Sequence, residues 1–226
     1  MRSLFGGSDP ALVLFDLDGT LVDSVPDLAL AIDRMLAALE LEPAGVARVR
    51  DWVGNGAPTL VRRALHGQLD IADATLPVGR FEQAYELFLQ FYGESTAALS
   101  ALYPGVSECL DGLRARGIRL GVATNKPMRF TGDMLQGLGI DGYFDVVIGG
   151  DSLPSCKPDP AMLLSAIEQC GATPATTLMV GDSSNDIRAA RAAGCKVVGV
   201  PYGYNHGEPI EASAPDLIVA RLDALL

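Results

Sequence analysis

Leu12-Val-Leu-Phe-Asp16-Leu-Asp18-Gly-Thr20 decides how the rest of the chain is read: an apolar run that ends in two carboxylates two positions apart. A continuous apolar run of this length suits a strand buried on both faces of a parallel sheet. Side chains two apart on extended backbone project to the same side. At the carboxyl end of a buried strand they would point into the crevice where open α/β sheets bind ligands. A calcium loop is the first alternative, and it fails. The position such a loop reserves for glycine falls on Leu21, and its twelfth position is Asp27 instead of glutamate.

Working outward, similar runs recur at Ile118–Ala123, Asp145–Ile148, Thr177–Val180, Lys196–Val200 and Asp216–Val219. Helical patterns lie between them at Val106–Arg116, Met128–Leu138, Ala161–Cys170 and Asn185–Ala193. Gly117, Gly139, Gly171 and Gly194 stand just past the ends, where a left-handed residue stops a helix. The alternation predicts an α/β fold with a Rossmann-like, doubly wound parallel sheet. Ser24 to Leu99 breaks the rhythm with helical patterns alone. Ser24 is expected to cap a helix striped by Leu28, Ile32, Met35, Leu36 and Leu39, and a later helix carries Phe81, Tyr85, Phe88 and Tyr92. That aromatic stripe reads as core packing. The division expected is a core of residues 10–22 and 100–226 with a small helical insert of residues 23–99.

Two further strands end in polar groups. Gly121-Val-Ala-Thr124-Asn125-Lys126 offers a hydroxyl and an amide that can hold phosphate oxygens with backbone N–H groups; a plain helix cap is the alternative. Leu178-Met-Val-Gly-Asp182-Ser-Ser-Asn-Asp186 repeats the strand-then-acid pattern. Lys157-Pro158 lies between the two. Asp16, Asp18, Asp182 and Asp186 facing one crevice would repel, by roughly 4 kcal/mol for two charges about 4 Å apart at an effective dielectric near 20. Such a site needs a cation, and oxygen-only ligands favour Mg2+. Lys157 would add another positive charge. With metal present, Asp16 can accept a phosphoryl group while Asp18 protonates the leaving oxygen and then activates water.

The 226 residues are 49% hydrophobic and 20% charged, with a formal net charge of −11, so nucleic acid is not an expected partner. Cys109, Cys156, Cys170 and Cys195 are singly placed and read as reduced thiols. No stretch reaches the roughly 20 apolar residues of a membrane span, and MRSLFGGSDP does not read as a signal peptide; a cytoplasmic protein, monomer or homodimer, is expected.

The motifs DLDGT at Asp16–Thr20, Thr124-Asn125, Lys157-Pro158 and GDSSND at Gly181–Asp186, in this order, resemble the haloacid-dehalogenase-like phosphatases over nearly the whole chain. The resemblance implies Asp16 as nucleophile, Asp18 as acid and base, and Thr124, Asn125 and Lys157 as phosphate holders. It implies Mg2+ held by Asp16, the Asp18 backbone carbonyl and Asp182, with Asp186 in support. Trp52-Val-Gly-Asn-Gly56, Thr124-Asn-Lys-Pro127, Ile148-Gly-Gly-Asp151 and Tyr202-Gly-Tyr-Asn205 are similar to bacterial members that hydrolyse 2-phosphoglycolate, a by-product salvaged after DNA repair or ribulose bisphosphate oxygenation. That substrate is therefore the one implied. Trp52, Asn55 and Arg62 are the candidate specificity residues of the insert. Rival readings are a phosphatase for another sugar phosphate or for pyrophosphate, a β-phosphoglucomutase-like mutase, a dehalogenase and a non-catalytic metabolite sensor.

Overall fold

The computed structural model describes residues 1–72 and 75–226. Its main sheet contains β1 (Leu12–Phe15), β4 (Arg119–Ala123), β5 (Val146–Ile148), β6 (Thr177–Gly181), β7 (Lys196–Gly199) and β8 (Leu217–Ile218). The strands run parallel in the order β5-β4-β1-β6-β7-β8. The helices α5 (Val106–Ala115), α6 (Met128–Gly137), α7 (Ala161–Gln169) and α8 (Ser184–Ala193) lie between the strands in sequence. Each expected strand and helix of this half is present, within a few residues at its ends.

The apolar runs have the cause inferred for them. Along β1, Val13 and Phe15 belong to one buried cluster and Leu12 and Leu14 to another. Period-two alternation thus feeds a core on each face of the sheet. All four side chains are fully buried. Truncating one such leucine to alanine costs about 2–5 kcal/mol. Gly117, Gly139, Gly171 and Gly194 all have positive φ, as helix-stopping residues require.

The helices α1 (Val25–Ala38), α2 (Gly45–Trp52), α3 (Ala57–His66) and α4 (Arg80–Gly93) form the expected helical segment. Phe88 and Tyr92 of the aromatic stripe are buried and stacked, with ring centroids 5.6 Å apart. Two features differ from expectation. A short antiparallel pair, β2 (Val22–Asp23) with β3 (Ala101–Leu102), ties the two crossings into the helical segment together. Strands of two residues carry no legible periodicity. Ser24 does stand at the head of α1, but its hydroxyl makes no capping bond and is buried without a partner. The N–H groups of Ser24 and Val25 point instead at the Tyr204 hydroxyl, 3.1 and 3.4 Å away. No helix among the described residues is long and apolar enough to cross a membrane.

Candidate active site

β1 lies in the middle of the sheet, where the chain changes its direction of winding, and there the ligand crevice of an open sheet belongs. Phe15 pairs with Val122 on one side and Val180 on the other. This register brings Asp16, Thr124 and Asp182 out of the sheet at one edge. Asp16, Asp18, Thr124, Asn125, Lys157, Asp182 and Asp186 all line a single cavity of about 50 Å³. The helical segment closes it with Leu28, Val53, Gly54, Leu60, Phe88 and Tyr92.

Lys157 organises the charges. Its ammonium donates to Asp16 Oδ1 at 2.7 Å and to Asp186 Oδ1 at 2.6 Å. Ser183 donates to Asp186 Oδ2 through its N–H and hydroxyl. Removing one partner of a buried charge pair costs about 3–5 kcal/mol, so Lys157 and Asp186 stand or fall together. Thr20 Oγ1 donates to Asp182 Oδ1 at 2.9 Å, and the Tyr204 N–H donates to Oδ2. Close packing explains two glycines of the motifs. A Cβ on Gly19 would meet the Asp182 carboxylate at 2.3 Å, and one on Gly181 would meet Asp186 at 2.3 Å. Only glycine lets the acids stand this close to the backbone.

Asp16, Asp182 and Asp186 each offer an oxygen within 4.8 Å of the others, and all are buried. Burial pushes the Asp16 carboxyl up to about 6; Lys157 opposes the shift and Asp186 and Asp18 reinforce it. Asp182 is raised well above the ordinary carboxylate range by burial, and then by Asp16 and Asp186. One lysine therefore does not balance the cluster. An all-oxygen donor set short of positive charge fits a hard divalent cation such as Mg2+.

The Asp18 carboxylate lines the same cavity and is held by a different cation. It accepts from Lys126 Nζ at 3.1 and 3.3 Å, and Lys126 donates also to the Tyr92 hydroxyl of α4. Burial opposes the Lys126 charge, yet Asp18 and Tyr92 hold its pKa above the ordinary lysine value. Burial also pushes the Tyr92 phenol up to about 12, so it stays neutral beside the ammonium.

The sequence left Lys126 without a role, although it was part of a quoted motif. A signal was there: the chain has only the three lysines Lys126, Lys157 and Lys196 beside many arginines, and two of the three are buried in this cavity. Thr20, Tyr92 and Tyr204 were also missed as site residues, because their partners lie far away in sequence.

The remaining residues named from sequence make other contacts. The Asn125 amide lines the cavity but has its hydrogen-bonding groups engaged by the backbone. Its Nδ2 donates to the carbonyls of Lys157 (3.0 Å) and Gly54 (3.3 Å), and its Oδ1 accepts from the Lys157 N–H (3.0 Å). It is a strut that sets the lysine loop and fastens it to the helical segment. Asn185 reaches the same Gly54 carbonyl at 3.2 Å. Trp52 is 4% exposed within the apolar core and does not line the cavity. The exposed Arg62 stacks on the Phe81 ring, 3.9 Å from its centroid. Asn55 is not among the lining residues either, and its Oδ1 is buried without a partner. Trp52 and Arg62 pack within the helical segment; the segment's lining groups are Gly54, Gly56, the apolar Leu28, Val53, Ala57, Leu60 and Phe88, and Tyr92. His206, given no role from sequence, donates from Nδ1 to the Asp51 carbonyl (3.0 Å) and lies against Gly54.

The chain belongs to the haloacid dehalogenase-like hydrolases, whose family model matches residues 10–194. Among its relatives, the phosphoglycolate phosphatase of Pseudomonas putida is 53% identical over 225 residues, which cover 100% of this chain and 82% of the relative. Phosphoglycolate phosphatase 1 of Pseudomonas aeruginosa is 48% identical over 217 residues, covering 96% and 79% respectively. A crystal structure of a predicted phosphoglycolate phosphatase from Haemophilus somnus superposes with a TM-score of 0.90 at 43% identity, covering 96% of this chain and 97% of the other. The chain is accordingly a phosphatase of this family.

Proposed function

We propose that the chain hydrolyses 2-phosphoglycolate to glycolate and phosphate through a phospho-aspartate on Asp16. The observation that carries the chemistry is the placement of Asp16: at the end of the central strand, buried, and bonded to Lys157 beside two further carboxylates. The substrate is supported by the names of relatives about half identical across the whole chain.

In this reading, Asp16 attacks phosphorus, and the leaving oxygen departs in line with it. Lys157 and the Thr124 hydroxyl hold the phosphoryl oxygens. Asp18 protonates the leaving oxygen and afterwards takes a proton from the water that opens the acyl phosphate. Asn125 positions Lys157 through its backbone, and Asp186 orients the ammonium. Asp16, Asp182 and the Asp18 carbonyl, supported by Asp186, would hold Mg2+. When bound, the ion supplies positive charge against the mutual repulsion of carboxylates and phosphate. Residues 23–99 act as a cap on a core of 10–22 and 100–226, excluding water when the cavity is shut.

The test is a comparison of kcat/KM with Mg2+ across 2-phosphoglycolate, glucose 1-phosphate, other sugar phosphates, pyrophosphate and a nitrophenyl phosphate. 2-Phosphoglycolate is expected to lead. A sugar phosphate or pyrophosphate preferred over it would overturn the substrate, and isomerised sugar phosphate in place of free phosphate would establish a mutase.

A further inference from the structure

Lys126 is a buried cation of the cavity to which the chemistry above gives no task. The chain keeps lysine at three positions only, and Lys126 and Lys157 are the two that line this cavity. A lysine is a compact point charge on a flexible stem, unlike the broad guanidinium used elsewhere in the chain. The Lys157 ammonium is engaged by Asp16 and Asp186 on the phosphate side. The Lys126 ammonium, with its side chain 2% exposed, stands against Asp18. Beside it is the Tyr92 hydroxyl, which accepts from Lys126 and whose own hydrogen has no acceptor among the described residues.

We propose that Lys126, with the Tyr92 hydroxyl, binds the anionic end of the substrate and so sets a preference for a phosphorylated acid over a phosphorylated alcohol or sugar. This rests on the substrate reading above. The geometry follows from Asp18. To protonate the leaving oxygen, its carboxyl must lie within hydrogen-bond reach of that oxygen, roughly 2.6–3.2 Å. Lys126 Nζ is itself 3.1 Å from the Asp18 carboxylate. In a two-carbon phosphorylated acid the carboxylate is joined to the carbon that bears the leaving oxygen, which places it about 3 Å from that oxygen by ordinary bond lengths. A leaving group that meets Asp18 therefore brings its carboxylate to Lys126. The cavity's apolar lining includes the buried Leu28, Leu60, Phe88 and Phe130. The hydroxyls of a sugar would lose water there without finding partners.

The experiment compares specificity constants for 2-phosphoglycolate and for 2-hydroxyethyl phosphate, the neutral analogue with an alcohol in place of the carboxylate. Wild type, Lys126→Met and Tyr92→Phe are measured with Mg2+, and each variant's melting temperature is recorded. Wild type is expected to prefer the acid. In Lys126→Met the ratio of the two constants should fall by on the order of 30-fold or more, chiefly through KM for the acid. Tyr92→Phe, which keeps ring and ammonium, should lower the ratio by about 5-fold, and it carries the test if Lys126→Met fails to fold. Equal losses on both substrates would overturn the subsite and leave Lys126 acting only through Asp18. A wild-type enzyme indifferent between the two substrates would instead overturn the substrate reading. A discriminating wild type whose variants discriminate as strongly would overturn the subsite alone.

Discussion

Thr20 Oγ1 lies 2.9 Å from Asp182 Oδ1, a hydrogen bond that joins the end of the first motif to an acid 162 positions further on. The hydroxyl holds one lone pair of a carboxylate whose other oxygen accepts from the Tyr204 N–H. Groups that orient a metal-binding carboxylate typically alter metal affinity 10- to 100-fold when removed. Thr20→Val keeps the shape and deletes the donor. The Mg2+ concentration for half-maximal activity should rise by about that factor, while turnover at saturating Mg2+ changes less. An unchanged Mg2+ titration would show that Thr20 serves packing alone.

Asp16→Asn should fold and lose turnover by at least about three orders of magnitude, because an amide cannot form the acyl phosphate. Lys157 keeps Asp186 as a buried partner in the variant, so the lysine is not stranded without a counter-charge. A melting curve establishes the fold, and a steady-state assay the loss. Turnover near that of wild type would remove Asp16 from the role of nucleophile.

Strand ends were legible where function and fold coincide. The runs at Leu12–Phe15 and Thr177–Val180 are apolar because both faces of the sheet are covered, and the acids that follow stand out against them. What stayed hidden depends on tertiary contact. The Tyr204 hydroxyl at the head of α1 replaces the cap expected of Ser24 across 180 positions. The Gly54 carbonyl gathers Asn125 from the loop after β4 and Asn185 from the first turn of α8. Neither contact leaves a periodic trace in the sequence. Trp52 and Arg62 show the opposite: large, distinctive side chains of the helical segment attract a functional reading, and in the structure one is core and the other stacks on Phe81.

Asp18 is hydrogen-bonded to Lys126 and stands apart from the Asp16, Asp182 and Asp186 cluster. That separation suits a group that moves protons. Asp18→Asn should therefore reduce turnover of 2-phosphoglycolate, whose alkoxide leaves poorly, by about 100-fold or more. With a nitrophenyl phosphate, whose leaving group needs no proton, the loss in the step that forms the phospho-enzyme should be about 10-fold or less. Burst kinetics isolate that step. Equal losses in it for both substrates would count against proton donation by Asp18.

The unbalanced acids make the metal's effect on stability depend on pH. In the metal-free protein burial raises Asp16 to about 6 from 3.8, and Asp182 moves in the same direction. Between about pH 4 and 6 the folded chain then binds more protons at Asp16 than the unfolded chain does. Stability from this group is present at low pH and is lost as pH rises through the folded pKa, on the order of 3 kcal/mol. In chelator, the melting temperature of wild type relative to Asp16→Asn should fall from pH 4.5 to pH 7; carboxylates remote from Asp16 cancel in this difference, and Asp182, raised in part by Asp16, adds to the fall. Mg2+ binds the ionised cluster and should reverse the loss. At about a hundred times its Kd the ion adds about 2.7 kcal/mol, or roughly 5–10 °C for a chain of this size. Protons compete with Mg2+ for the same oxygens, so the shift should be large at pH 7 and small at pH 5. Equal Mg2+ shifts at both pH values, or a relative melting temperature that rises with pH in chelator, would contradict the charge deficit on which the proposed metal site rests.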